Sequence, residues 1–405
     1  MQTIHDPDRF MADLRQILSQ GRKRIGLLVG AGAPMAIKLD LHGKISEVGS
    51  PLIPGVDELT SLVLKGLQEE PNRLAVQAIA GGIGPTANIE NILSQVRLLR
   101  QALGDVPVHG LDSSGYEKLG TKICEHIGKI VGAKLPAERN AYNELVSWIS
   151  GTVRSHAVEI FSTNYDLLLE EAFEAARAPY FDGFSGGASP FFDPVTVASD
   201  DLPPRWSRLW KLHGSLGWIL EGNTIVRGRG REATQLIYPD HLKYDLTQKQ
   251  PYSALFERLR QFLLNPDTLL LTIGFSFRDA HITAVLDEAL AMNANAAAMA
   301  FQFNPISAEA HACGIAADRP NLSVYAADGA VINGVMGGWR PGEIDKNWVE
   351  IRTTFWGSNN AAEPAHFLLG DFSHFARFCA LSQAKEMQRL IVPPTMPPIT
   401  GAAIS

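Results

Sequence analysis

The segment Arg24-Ile25-Gly26-Leu27-Leu28-Val29-Gly30 constrains the fold more than any other: it is an apolar run of strand length that stops at a glycine. A strand that is apolar on both faces must be covered on both, which is the situation of a parallel sheet in an α/β protein. The pattern recurs. Ala157–Phe161 ends at Ser162-Thr163-Asn164-Tyr165-Asp166, Leu209–Leu212 at His213-Gly214-Ser215, and Thr268–Ile273 at Gly274-Phe275-Ser276. Helical spacing of apolar residues follows from Leu167, over Tyr252–Leu263 and over Ala280–Met292. Ala298–Phe303 and Leu322–Ala326 read as further strands, the second as the last of the central sheet. Strand–turn–helix units repeated in this way predict a doubly wound, Rossmann-like parallel sheet whose ligands bind at the carboxyl ends of the strands.

The chain changes character between Pro54 and Ser150. Helical stretches at Val56–Gly66, Asn88–Leu103, Tyr116–Val131 and Glu138–Ile149 succeed one another with no strand between them. They predict a helical subdomain, residues 54–150, inserted into a Rossmann-like domain formed by residues 1–53 and 151–335. An amphipathic helix is expected over Asp8–Ser19, and a hairpin over Gly217–Val226 turning at Gly222-Asn223. Ala178 to Pro204 is rich in Gly, Pro, Ser and Asp and is expected to be an irregular loop serving as a lid or an oligomer contact. Residues 336–405 form a C-terminal extension. It is less regular until a helix over Phe372–Arg389, and its Pro-rich end, from Val392, is expected to be disordered or draped on a neighbour.

Composition removes several function classes. A formal charge of −7 argues against a dedicated nucleic-acid binder, and the clusters Arg22-Lys23-Arg24 and Arg227, Arg229, Arg231 read as solvated surface. Three scattered cysteines, Cys124, Cys313 and Cys379, with no C-x-x-C pair, cannot build a thiolate zinc site, and no metal is expected. Sparse cysteines, no apolar leader and no long apolar run predict a soluble, cytoplasmic protein.

The chemistry is concentrated in the four turns. Gly30-Ala31-Gly32 lets backbone approach a diphosphate closely, with amide N–H groups to neutralise it, although Met35 stands where the dehydrogenase fingerprint has a third glycine. Asn164 and Asp166 are equally good turn formers and helix caps. His213 is a lone histidine at a strand end, and Gly274 and Ser276 suit contact with a ribose or adenine or the start of a helix.

Taken in order, Gly-Ala-Gly, Thr-Asn-Tyr-Asp, Leu-His-Gly-Ser and Ile-Gly-Phe-Ser resemble the sirtuin family, and most of all its bacterial antiphage branch, whose members hydrolyse NAD. Asn88-Ile89-Glu90-Asn91-Ile92-Leu93 resembles the helical-insert signature of that branch, and the likeness runs over roughly residues 24–330. It implies that Gly30, Ala31 and Gly32 cradle the diphosphate. It further implies that Asn164 and Asp166 line the nicotinamide–ribose pocket, that His213 is the catalytic histidine, and that Gly274 and Ser276 contact the adenosine side. Protein-deacetylating sirtuins carry a four-cysteine zinc module that this chain cannot make, so NAD is expected as a substrate for hydrolysis and not for deacetylation. Nicotinamide leaves a pyridinium as a neutral molecule, so the carboxylate pair of a glycosidase is unnecessary. Asn164 would orient water or a ribose hydroxyl, and His213 would accept a proton near neutral pH.

No sensor domain is legible outside residues 24–330, so restraint is expected from assembly, a conformational gate or another protein. The family likeness implies a large homo-oligomeric ring and a HerA-like ATPase partner, with nucleic acid engaged only through such a complex. Two other classes stay open: a nuclease working with that ATPase, for which Asp166, Asp182, Asp193 and Asp240 are candidate Mg²⁺ ligands, and a sensor that binds NAD or ADP-ribose without turnover. A protein deacylase is a more distant alternative.

Overall fold

The computed structural model describes residues 3–222, 224–228, 230–231, 250–343, 348–358 and 364–383. The fold is α/β, built on a ten-stranded and mostly parallel sheet. From one edge to the other its strands are Ile4–His5, Val335–Trp339, Gly329–Ile332, Leu322–Tyr325, Ala297–Phe301, Thr268–Ile273, Arg24–Val29, Glu159–Ser162, Ser207–Lys211 and Tyr180–Phe181. The chain runs from Arg24–Val29 outward through Glu159–Ser162 to Ser207–Lys211, then crosses back to Thr268–Ile273 on the other side of its starting strand. That reversal is the switch point at which open α/β sheets form their crevice.

Side chains alternate between two cores because successive Cβ atoms of a strand point to opposite faces. Leu27, Val29, Ile160, Leu209 and Leu271 pack on one face together with Met11, Leu93, Ile123, Trp148 and Phe375. Leu28, Phe161, Trp210 and Leu270 pack on the other with Leu259, Phe262, Leu286 and Val324. The first core joins the sheet to the helices Val56–Gly66, Glu70–Ile83, Ile89–Ala102, Ser113–Val131 and Ala141–Gly151. The N-termini of these helices follow sequence chemistry. Asn88 and Asn140 each cap a helix with reciprocal bonds to Asn91 and Asn143, and each such cap contributes about 1 kcal/mol.

The sequence expectations meet the structure closely at the long elements: the helices Val56–Gly66 and Ala280–Met292 and the strand Thr268–Ile273 have the predicted bounds. Three expectations are corrected. Ala178–Pro204 is not an irregular loop: it carries the strands Tyr180–Phe181, Phe184–Ser185 and Phe191–Phe192 and a short helix, Pro194–Ala198, and buries Phe181, Phe184, Phe192 and Val197. Leu322–Tyr325 is not the last strand of the central sheet, because the antiparallel hairpin Gly329–Ile332/Val335–Trp339 extends it and then pairs with Ile4–His5. The expected boundary after residue 335 therefore cuts through a strand. The predicted hairpin turning at Gly222-Asn223 forms between Trp218–Glu221 and Thr224–Arg227, with Asn223 outside the described residues. The expected helix Phe372–Arg389 is shorter than read, Phe372–Leu381 with Ser382 as its C-cap, and residues 384–405 with the Pro-rich end lie outside the described residues. Among the described residues no helix is long and apolar enough to cross a membrane.

Candidate functional site

Register sets the site. Val29 is aligned with Ile273 on one side and with Ser162 on the other, and Ser162 is aligned with Lys211. The four strands thus end level, and the four turns singled out in the sequence begin side by side.

The first and fourth turns are locked together by glycine. A Cβ on Gly30 would lie 2.3 Å from the Gly274 carbonyl oxygen, and one on Gly274, whose φ is +64°, would lie 2.7 Å from the Ala33 nitrogen. No other residue fits either place. The same contact engages the amides: Gly30 N donates to Ile273 O, Gly32 N to Gly274 O and Ala33 N to Gly30 O, each at 3.0 Å. The Gly30 and Gly32 amides are thus engaged within the two turns, and the loop meets the crevice through Ala31 and Pro34.

Asn164 stands next to this loop. Its Nδ2 donates to the Gly30 carbonyl at 3.0 Å, and its own amide is fixed by Ser162 Oγ at 3.1 Å. That orientation leaves Oδ1 as the acceptor. Asp166 Oδ1 accepts from Leu168 N, the first residue of the Leu168–Ala175 helix, at 3.0 Å, and Asp166 also lines the crevice. Both roles considered for it are therefore compatible. Burial pushes its carboxyl above the usual range, against the pull of Lys211. Burial likewise raises Glu170, again opposed by Lys211. The Lys211 ammonium, 1% exposed, donates to the Asp166 carbonyl and stands 3.5 Å from Glu170 Oε1.

His213 follows Lys211 and is 4% exposed. Its Nε2 lies 2.9 Å from Oδ2 of Asp279, itself 8% exposed. The other carboxylate oxygen of Asp279 accepts His281 N at 3.0 Å and Ile282 N at 3.1 Å, capping the Ala280–Met292 helix. Ser276 and Arg278 line the crevice on either side of Phe277, whose φ of +58° is strained for a bulky residue.

These groups share one cavity of about 370 Å³, within the range of small-molecule clefts, about 300–1,000 Å³. Ala31, Asn164, Asp166, His213, Gly274 and Ser276 line it, while Gly30 and Gly32 lie behind it. Helices 56–66, 89–102 and 113–131 close it with Val56, Leu59, Asn88, Glu90 and Val131. A larger cleft, about 690 Å³, runs along the Ser113–Val131 helix and contains none of the four turns.

Sequence reasoning did not give Asp279 a role toward His213, and a cap aspartate reads the same whether or not its second oxygen has such a neighbour. Glu90 and Arg278 were also missed as lining residues, although Glu90 lies in a quoted motif and Arg278 stands two residues past another. Among the described residues no group of three or more His, Cys, Asp or Glu side chains is placed to hold a metal ion. Of the candidate acidic ligands, Asp182 pairs with Arg227. Asp193 accepts from Thr196 Oγ1 at 2.6 Å and Ser185 Oγ at 2.9 Å, bonds that hold its carboxyl below the usual range. Asp240 lies outside the described residues.

Residues 158–320 match the family model of the SIR2-like domain. The matched stretch holds Asn164, Asp166, His213, Gly274, Ser276 and Asp279, while the Gly30–Gly32 loop and the helices of residues 56–151 precede it. Among solved structures the chain is similar to a Sir2 enzyme studied for mechanism and regulation, at 13% identity and a TM-score of 0.33, over 74% of this chain and 87% of that one. It is similar to a Sir2 homologue in complex with NAD, at 12% identity and a TM-score of 0.33, over 80% and 90% of the two chains. It is also similar to a Sir2 homologue mutant in complex with ADP-ribose, at 13% identity and a TM-score of 0.33, over 72% and 84%. No curated protein matches this chain in sequence.

Proposed function

We propose that this chain hydrolyses the N-glycosidic bond of NAD, releasing nicotinamide and ADP-ribose. The SIR2-like match over residues 158–320 supports an enzyme that uses NAD. The observation that carries the hydrolytic reading is the convergence of Asn164 and His213 on one cavity at the level carboxyl ends of the central strands.

The chemistry asks little of the protein as an acid. The C1′–N bond breaks with its electron pair going to the pyridinium nitrogen, so nicotinamide departs neutral. Water adds to C1′ and must lose a proton. Asn164, held through Nδ2 on Gly30, offers Oδ1 to orient that water or a ribose hydroxyl. His213 accepts the proton, as an imidazole is suited to do near neutral pH. Apolar side chains of the insert, Val56, Leu59 and Val131, restrict water on the far side of the cavity.

The biological reading that accompanies this activity is NAD depletion in defence against phage, restrained by assembly of the chain into a homo-oligomer with a HerA-like ATPase. Its support is the likeness of the four strand-end strings.

Chromatography of NAD incubated with the full chain, alone and with such a partner, tests both parts. Nicotinamide and ADP-ribose are expected as products, and the mixture reveals gating if only it is active. His213→Ala is expected to slow release about 10²–10⁴-fold, the usual worth of a general base, with melting temperature little changed; Asn164→Ala should behave similarly. Full turnover by His213→Ala would overturn the reading. Binding of NAD without any nicotinamide would make the protein a sensor.

A further inference from the structure

We propose that Asp279 is a positioning residue for His213, holding the imidazole in place and stabilising the positive charge it gains on taking a proton. This inference rests on the hydrolytic role given to His213 above.

The geometry is that of a carboxylate with two separate tasks. Oδ1 accepts two backbone N–H groups at 3.0 and 3.1 Å, and this pins the carboxylate plane to the start of the Ala280–Met292 helix. Oδ2 lies 2.9 Å from Nε2 of His213, within ion-pair distance. Both side chains are almost wholly buried, 5% and 6% exposed, so bulk water screens their interaction little. An imidazole held by a carboxylate at one nitrogen is fixed in orientation, and its protonated form is favoured by the adjacent negative charge. In the proposed reaction the proton lost by water as it adds to C1′ resides on His213, and the imidazolium so formed faces Asp279.

Among the described residues, other charged groups face His213 less directly. Glu90 from the 89–102 helix, Asp166 from the Thr163–Asp166 turn and Arg278 beside Asp279 line the same cavity. The Tyr165 ring centroid is 6.5 Å from that of the imidazole. Lys211, two residues back along the chain, is engaged with the Asp166 carbonyl and Glu170.

The substitution Asp279→Asn separates the two tasks, because asparagine caps a helix as well as aspartate does while carrying no charge. The expected result is a fall in kcat of roughly tenfold or more, with the acidic limb of the pH–rate profile moving to lower pH by about one unit. KM for NAD and the melting temperature should change little. Asp279→Ala, which also loses the cap, should add a fall in melting temperature. Nuclear magnetic resonance titration of the His213 imidazole in both full-length proteins supplies a readout independent of turnover, and its midpoint should fall in Asp279→Asn. An unmoved midpoint and an unmoved acidic limb would overturn the proposal and leave Asp279 a helix cap. If the wild-type chain released no nicotinamide, the hydrolytic reading would fail on its own, and the titration would still decide whether Asp279 governs His213.

Discussion

At the amino ends of the central strands the carboxylate of Glu159 receives three donors: Arg258 Nη2 at 2.6 Å, Arg258 Nε at 2.8 Å and Trp210 Nε1 at 2.8 Å. Arg258 also reaches Asp200 at 2.6 Å, and Asp200 stands 3.7 Å from Arg24. At the carboxyl ends the polar groups are as deeply buried, and two carboxylates there are held by a single lysine. Glu170 Oε2 and the Tyr142 hydroxyl have no hydrogen-bond partner among the described residues, and burial pushes Glu170 and Asp166 toward their neutral forms. Incomplete pairing is not confined to that end: among the described residues Arg208 Nε, the Thr152 hydroxyl and the three guanidinium nitrogens of Arg154, which precede the Glu159–Ser162 strand, also have no hydrogen-bond partner. Left-handed residues occur at both ends: Gly274, free to adopt it, and Phe277 stand where the cavity forms, while Arg177 and Asp267 precede the Tyr180–Phe181 and Thr268–Ile273 strands. One end of the sheet holds a closed ion-pair network around Glu159, and the other holds carboxyls raised by burial and the strained Phe277 where the candidate chemistry lies.

The comparison breaks most sharply at Arg258. Arg258→Ala strands a carboxylate that is 5% exposed, and loss of one partner of such a pair costs about 3–5 kcal/mol. Chemical denaturation should read that loss, while nicotinamide release per folded molecule stays at the wild-type rate. A smaller loss of stability with a larger loss of activity is expected at the other end. Gly274→Ala meets the left-handed penalty, about 1–2 kcal/mol, and a Cβ 2.7 Å from the Ala33 nitrogen forces the first and fourth turns apart. Stability and turnover measured together should separate the two variants. Equal effects of both on turnover would dissolve the distinction between the ends.

The same contrast explains what the sequence made legible. Open parallel sheets form their crevice at the carboxyl ends of the strands, so Ala31, Asn164, His213 and Gly274 could be singled out once the strands were recognised, and the structure brings them to one cavity. Strand order, which decides that Gly30 packs on Gly274, comes from long-range pairing that no local pattern encodes. Ala178–Pro204 misled because its strands are two residues long, too short for a period, and its apolar residues are separated by Gly and Pro. The hairpin after Leu322–Tyr325 did leave a signal: Asn333-Gly334, at φ +52° and +77°, is the pair favoured in tight hairpins and stands between Val331-Ile332 and Val335-Met336. Asp279 left no local trace of its contact with His213, because the Oδ1 bonds that cap the helix account for an aspartate there.

The smallest effect sharpens the comparison through pH. Glu170 is raised by burial above 4.5, so the folded chain binds more protons than the unfolded one from about that pH upward. Its contribution to stability therefore falls as pH rises through that window. Asp200 is the reverse case: burial raises it, but the hydrogen bond and charge of Arg258, with Arg24, outweigh burial and hold it below 3.8. Its contribution is present above 3.8 and disappears as pH falls through the folded value. Since half of the Asp200 side chain is exposed, solvent screening keeps that effect small. Melting curves of wild type, Glu170→Gln and Asp200→Asn between about pH 3 and 7 should therefore diverge in opposite senses. The advantage of wild type over Glu170→Gln should shrink as pH rises above 4.5, and its advantage over Asp200→Asn should shrink as pH falls below 3.8. Parallel curves for the two variants would mean that both ends of the sheet hold their carboxylates alike, and the contrast between a stabilising end and a working end would not stand.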